Sequence, residues 1–208
     1  MQALLLDAPS VNTGMNLLRK DGCVYYHPSL IDPIQCTSLF KQLFQSLPWQ
    51  ADQLVMFGKQ ITTERKVAWV GDQGCTYTYS GVKKYPEPWT PELLEIKALA
   101  EDIAQWQFNS CLLNLYHNGS EGMGWHSDNE TELDPLAPIV SVSLGGVRKF
   151  GFKHRLDKTS TSLFLEDGSA LIMHAPTQAH WNHSLLKTKT DVGPRINLTF
   201  RSIQQVSS

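Results

Sequence analysis

Hydrophobic and polar positions change period twice along this chain. After Asp32-Pro33, the residues Cys36, Leu39, Phe40 and Leu43 recur at helical spacing, and the run stops near Leu47-Pro48. Asp32 fits an N-cap and Pro33 the first helical position. A second helix is predicted from Thr90-Pro91-Glu92, with Leu93, Ile96, Leu99, Ala100, Ile103 and Trp106 on one face. Residues 49–89 alternate without helical period and carry Gly58, Gly71, Gly74 and Gly81, which predicts short strands and loops. Within them Thr76-Tyr77-Thr78-Tyr79-Ser80 reads as a strand, as does Val24-Tyr25-Tyr26 earlier in the chain. Strands are expected at 110–116, 138–144, 148–153, 161–165, 170–174, 181–186 and 195–202. Two helices followed by about seven strands predict an α+β protein whose β part is a sandwich or jelly roll.

Composition narrows this only slightly. At 208 residues, 41% hydrophobic and 18% charged, the chain has ordinary globular composition and fits one domain, 1–208. No apolar run is long enough to span a bilayer, so no membrane partner is expected. The N-terminus has no basic segment ahead of its short apolar patch, so a signal peptide is not expected either. Cys23, Cys36, Cys75 and Cys111 form no Cys-x-x-Cys pair and read as reduced residues of a cytosolic protein.

The net charge of −2 excludes a protein that coats nucleic acid by charge alone, but the charge is unevenly placed. Arg148, Lys149, Lys153, Arg155 and Lys158 face Asp157 alone. Between Glu121 and Asp134 lie five carboxylates and no Lys or Arg. Solvated loops explain both stretches; an acidic metal-site edge beside a basic, phosphate-meeting rim explains them too.

Candidate chemistry lies in two places. The apolar run Cys111–Tyr116 is broken by Gly119, Gly122 and Gly124, and then come His126 and Asp128. In an extended segment residues i and i+2 share a face, so these two side chains can converge. One imidazole and one carboxylate are two thirds of the facial triad that holds Fe(II) and leaves positions open. His174, His180 and His183 compete for the third place; His180 and His183 differ in parity, so a regular strand aims only one of them at a metal. Near the C-terminus, Arg195, Asn197, Thr199 and Arg201 share one parity and Ile196, Leu198 and Phe200 the other. The plain reading is an amphipathic strand with solvated arginines. The other is a polar face lining a small barrel, where buried guanidiniums require an anion such as a dicarboxylate.

Asn114-x-Tyr116, His126-x-Asp128, a later His and Arg195-x-Asn197-x-x-x-Arg201 together resemble the AlkB family of Fe(II)/2-oxoglutarate dioxygenases, over roughly residues 50–203. The likeness is greatest to the branch acting on double-stranded DNA, through Met56-Phe57-Gly58, Thr76–Gly81 and His180-Trp181-Asn182-His183-Ser184-Leu185. The resemblance implies a double-stranded β-helix core, a kind of jelly roll, over 110–203, a nucleotide-recognition region over 50–90, and an N-terminal extension over 1–31. It implies Fe(II) on His126, Asp128 and His183, and 2-oxoglutarate on Asn114, Tyr116, Arg195, Asn197 and Arg201, with the later arginine on the distal carboxylate. The flipped base would meet Tyr77, Tyr79, Ser80, His126 and Glu130. Met56, Phe57 and Gly58 would form a wedge in the duplex, and Arg65 and the run from Arg148 to Arg155 would contact its backbone. Ser127 is shorter than the residue some relatives carry there.

The implied activity is oxidative dealkylation of 1-methyladenine- and 3-methylcytosine-type bases in DNA. It consumes O2 and 2-oxoglutarate and releases succinate, CO2 and formaldehyde. Double-stranded DNA is the expected partner, with single strands or RNA as alternatives, and the chain is expected to act as a monomer in a bacterial cytoplasm or a eukaryotic nucleus. Hydroxylation of a protein or small molecule on the same scaffold is the alternative function.

Overall fold

A computed structural model describes residues 14–56, 59–79 and 82–204, without the side chains of 52–61 and 77–84. The first helix, α1 (Pro33–Ser46), begins where Asp32 Oδ1 accepts from the Ile34 amide at 2.8 Å, and it buries Cys36, Leu39 and Leu43. The second, α2 (Pro91–Ala104), is capped by Thr90 and buries Leu93, Ile96, Ala100 and Ala104. Trp106 falls beyond it. Gln105 turns the chain left-handed at φ 49°, so the indole leaves the expected face and donates instead to Ser202 Oγ at 2.9 Å.

The strands are β1 (Cys23–His27), β2 (Gln50–Met56), β3 (Lys59–Gly71), β4 (Tyr77–Tyr79), β5 (Val82–Lys84), β6 (Ser110–Tyr116), β7 (Met123–His126), β8 (Ile139–Gly145), β9 (Arg148–His154), β10 (Ser160–Leu165), β11 (Ala170–His174), β12 (Trp181–Leu185) and β13 (Arg195–Arg201). A one-turn helix, α3 (Thr177–His180), precedes β12. The major sheet has the order β1-β11-β8-β13-β6-β3-β2 and the minor sheet β10-β9-β12-β7, while β4 and β5 form a separate hairpin. The pairings are antiparallel throughout these three sheets.

All seven expected C-terminal strands form, within a residue at each end. Two expectations change. The stretch 49–89 contains one long strand, β3, that pairs with β6 and so belongs to the core sheet rather than to an appended region. Likewise β1, inside the expected extension, pairs with β11 along its whole length. The pattern of residues indicates that such segments are extended, but a strand's partner is set by the folded chain.

The period of two divides the core. On the helix side of the major sheet lie Leu113, Val140, Val142, Ile172, Ile196, Leu198 and Phe200, packed with the buried residues of α1 and α2. Between the two sheets lie Tyr26, Tyr116, Phe150, Phe152, Leu171, Met173, Trp181 and Leu185. Gly145, at φ +87°, makes the turn from β8 to β9; a Cβ there would stand 2.4 Å from the Pro194 carbonyl oxygen. That tight corner closes the minor sheet over the polar face of β13.

Candidate active site

The glycine-rich segment after β6 returns as β7, which pairs with β12 through His126↔His183 and Met123↔Leu185, three residues against two. Such a bulge lets Met123 and His126 both face inward while Trp125 faces out. The two histidine rings are 4.3 Å apart. Asp128 lies past the end of β7, so a continuing strand does not place it. Its amide donates to Gln178 Oε1 of α3 at 2.9 Å, and this turns the carboxylate inward. One ligand atom from each of His126, Asp128 and His183 lies within 4.8 Å of the others.

His180 stacks on His154, 6.4 Å between centroids, and His174 packs edge-on to Tyr25. Neither joins the cluster. His126 Nδ1 lies 2.8 Å from the Gly124 carbonyl, which leaves Nε2 for the cluster.

Electrostatics prepare this cluster for a cation. Burial pushes the His183 imidazole down to about 4, against the pull of Asp128, so it is neutral at pH 7 and free to ligate. Burial works to raise the Asp128 carboxyl, but Arg201, His183 and His126 outweigh it and hold it below its ordinary value. Arg201 Nη2 donates to Asp128 Oδ1 at 2.8 Å, while Oδ2 stands 3.8 Å from His183 Nε2. Two imidazoles and a carboxylate fit Fe(II) by ligand type.

Beside the cluster, the inner face of β13 is polar and largely buried. Arg195 pairs in register with Tyr116 and Asn197 with Asn114 across β6. Arg195 is 1% exposed, and its Nη2 donates to Ser143 Oγ at 2.9 Å and to Asn197 Oδ1 at 2.7 Å, both neutral. Burial pushes its guanidinium down to about 10. Its Nε is buried with no hydrogen-bond partner among the described residues. The Tyr116 phenol, pushed up by burial against the pull of Arg195 and Arg65, stays a neutral donor. A buried cation with neutral partners and an unused N–H fits one carboxylate of a dicarboxylic acid.

The two arginines of β13 stand differently toward the cluster. Arg201 stands on Asp128 at the metal cluster and also approaches Glu130 Oε1 at 3.6 Å, whereas Arg195 is six residues further back along the strand. Arg65 is 5% exposed and donates to Asn114 Oδ1 at 2.5 Å. That places it inside, against the pocket, and not on a surface that DNA can reach. Arg148 is likewise 1% exposed and bonded to main-chain carbonyls, so the expected basic rim loses its first member.

Glu130 remains at the mouth beside Arg201, and His126 is part-exposed there. Phe57, Gly58 and Ser80, and the side chains of Met56, Tyr77 and Tyr79, lie outside the described residues. Sequence reading missed Ser141, Ser143 and Gln178. The first two had a signal: Ile139-Val140-Ser141-Val142-Ser143-Leu144 alternates as strictly as β13 does, with its serines on the pocket side.

A profile of the 2OG-Fe(II) oxygenase superfamily matches residues 22–201. The chain is 36% identical to "DNA oxidative demethylase ALKBH2" of Mus musculus over 197 residues, 89% of this chain and 82% of the relative. The chain belongs to the AlkB family of 2OG-Fe(II) oxygenases. It is also 34% identical to "Alpha-ketoglutarate-dependent dioxygenase alkB homolog 3" of Homo sapiens, over 87% of this chain and 65% of that one. In fold it matches the solved structure of OsALKBH1 with a TM-score of 0.62 at 18% identity, covering 89% of this chain and 98% of that one. As a member of this family the chain is an Fe(II)/2-oxoglutarate-dependent dioxygenase with a jelly-roll core.

Proposed function

We propose that this oxygenase removes N-alkyl groups from bases in DNA, taking 1-methyladenine- and 3-methylcytosine-type lesions. The observation that carries the reading is Glu130, held at the rim of the His126–Asp128–His183 cluster, where a cationic base would stand. The names of the similar demethylases support it.

His126, Asp128 and His183 would hold the metal. Arg195, with Tyr116, Asn114 and Asn197 around it, takes the carboxylate of 2-oxoglutarate farther from the metal, since Arg201 is engaged with Asp128. Bound iron supplies the coupling of O2 activation to decarboxylation of 2-oxoglutarate. One oxygen atom of O2 enters succinate and the other the methyl carbon. The C–N bond of the resulting hydroxymethyl group breaks, and the carbon leaves as formaldehyde.

The protein's work is positional. Arg201 keeps Asp128 ionised and correctly turned, and the buried pocket excludes water from the reacting groups. Glu130 attracts the positive charge that alkylation confers on the base.

The test is mass spectrometry of an oligonucleotide carrying 1-methyladenine or 3-methylcytosine, incubated with protein, Fe(II), 2-oxoglutarate and ascorbate. Loss of the methyl group that requires 2-oxoglutarate and disappears in Asp128→Ala is expected. Succinate formation with an unaltered oligonucleotide would discard DNA as substrate and leave a protein or small molecule in its place.

A further inference from the structure

The outer face of the minor sheet carries an exposed tryptophan on the same strand as a metal ligand. Trp125, 45% exposed, precedes His126, and the bulge in β7 turns it away from the pocket. Its indole reaches across β12 to β9. A Cβ added at Gly151 would stand 2.9 Å from Trp125 Cη2, so only glycine leaves room for the ring there. Between the two strands stands Ser184, the register partner of Gly151, its hydroxyl turned to the Met123 carbonyl. Lys153 Nζ lies 5.9 Å from the indole centroid.

The arrangement recurs along the sheet. Phe164, 49% exposed, is the register partner of exposed Lys149. No Asp or Glu occurs in any of the four strands of this sheet. Apolar rings that face solvent with lysines beside them and no carboxylates among them match one kind of occupant, a chain with unpaired aromatic bases and a phosphate backbone. A protein partner would call for a continuous apolar patch, and a duplex keeps its bases stacked on each other.

We propose that Trp125 and Lys153, with Phe164 and Lys149 farther along, form a stacking track for the unpaired DNA strand that flanks the damaged nucleotide. The inference rests on the dealkylase reading for its substrate and extends it to strand form. Trp125 stacks on a flanking base, Lys153 moves from the ring to a phosphate, and the strand is held as it leaves the mouth at His126. The enzyme then favours single strands.

Two measurements test the track. The first is fluorescence anisotropy with an unmodified single-stranded oligonucleotide. Trp125→Ala should weaken binding roughly tenfold, the loss of one base–aromatic stack, and Trp125→Phe should restore most of it. Lys153→Gln should flatten the dependence of log affinity on log salt by about 0.7. The second is dealkylation of a lesion in a long single strand, in a duplex and in a trinucleotide too short to reach Trp125. Trp125→Ala should raise KM on the long single strand alone. Equal losses on the trinucleotide, or unaltered binding and KM, would overturn the track. Binding through Trp125 without dealkylation would keep the track and overturn the substrate reading. Dealkylation indifferent to Trp125→Ala would do the reverse.

Discussion

Replacing Arg148 with Met should destabilise the protein more than any surface substitution. The guanidinium lies between the sheets and donates to four main-chain carbonyls: Asn118 at 3.2 Å, Gly119 at 3.3 Å, Glu121 at 2.6 Å and Leu186 at 2.8 Å. Three of these belong to the turn that leads into β7 and the fourth follows β12, so one side chain ties together the two segments that carry His126 and His183. Hydrogen bonds from a charged donor contribute about 1.5–3 kcal/mol each, and two of the four have short, favourable lengths. Methionine fills most of the volume and removes the cost of burying the charge, which returns part of this. It leaves the Glu121 and Leu186 carbonyls without their donor. The net loss should be about 3–4 kcal/mol. For a protein of this size that is a fall in Tm of roughly 10 °C. Urea unfolding followed by circular dichroism, at unchanged m-value, measures it. Arg148→Lys should recover less than half, because one ammonium cannot span four acceptors. A midpoint for Arg148→Met that gives less than about 1 kcal/mol of loss would show that water satisfies those carbonyls and that the clamp is not structural.

Other outcomes follow from the same geometry. Arg195→Met removes a buried cation with neutral partners, so the metal-free protein should keep or gain Tm, while KM for 2-oxoglutarate rises about a hundredfold; an unaltered KM would remove Arg195 from the cosubstrate site. The His183 imidazole sits at about 4 when folded and near 6.5 when unfolded, so the unfolded chain takes up its proton first as pH falls. Stability of the metal-free protein should therefore decline by about 3 kcal/mol between pH 6.5 and 4, and His183→Gln should flatten that slope in urea titrations across the range. Mn(II) at about a hundred times its Kd should stabilise the protein by about 2.7 kcal/mol, and chelation or His183→Ala should abolish the gain in thermal melts.

The elements that sequence revealed are those whose periodicity is enforced by burial on one side. β13 and β8 alternate because one face meets the helices and the other the pocket, and α1 and α2 announce their starts through Asp32 and Thr90. The metal cluster was legible in residue type and spacing, and the choice of His183 needed the family pattern. Arg65 and Arg148 were misplaced because a basic residue reads as solvated unless its acceptors are known. Their acceptors, the Asn114 amide oxygen and the carbonyls of a turn, are set only by the folded chain. That Arg201 rather than Arg195 stands on Asp128 was hidden for a similar reason. Sequence gives their separation along β13 but not which end of the strand passes Asp128.

The two faces of β13 divide stability from chemistry. Ile196, Leu198 and Phe200 are fully buried with the helices, whereas Arg195 bonds to Asn197 and Ser143, and Arg201 to Asp128. A polar interior of this kind lowers stability when no ligand is bound, since Arg195 and Arg148 repel each other and neither is neutralised by an adjacent carboxylate hydrogen bond among those described. The apolar face must supply the difference. Leu198→Ala should therefore cost about 2–5 kcal/mol of stability while leaving KM for 2-oxoglutarate nearly unaltered in the fraction that folds. The Arg195 substitution should do the opposite. If both changes moved stability and KM together, the strand would be one coupled unit, and assigning separate duties to its faces would be wrong.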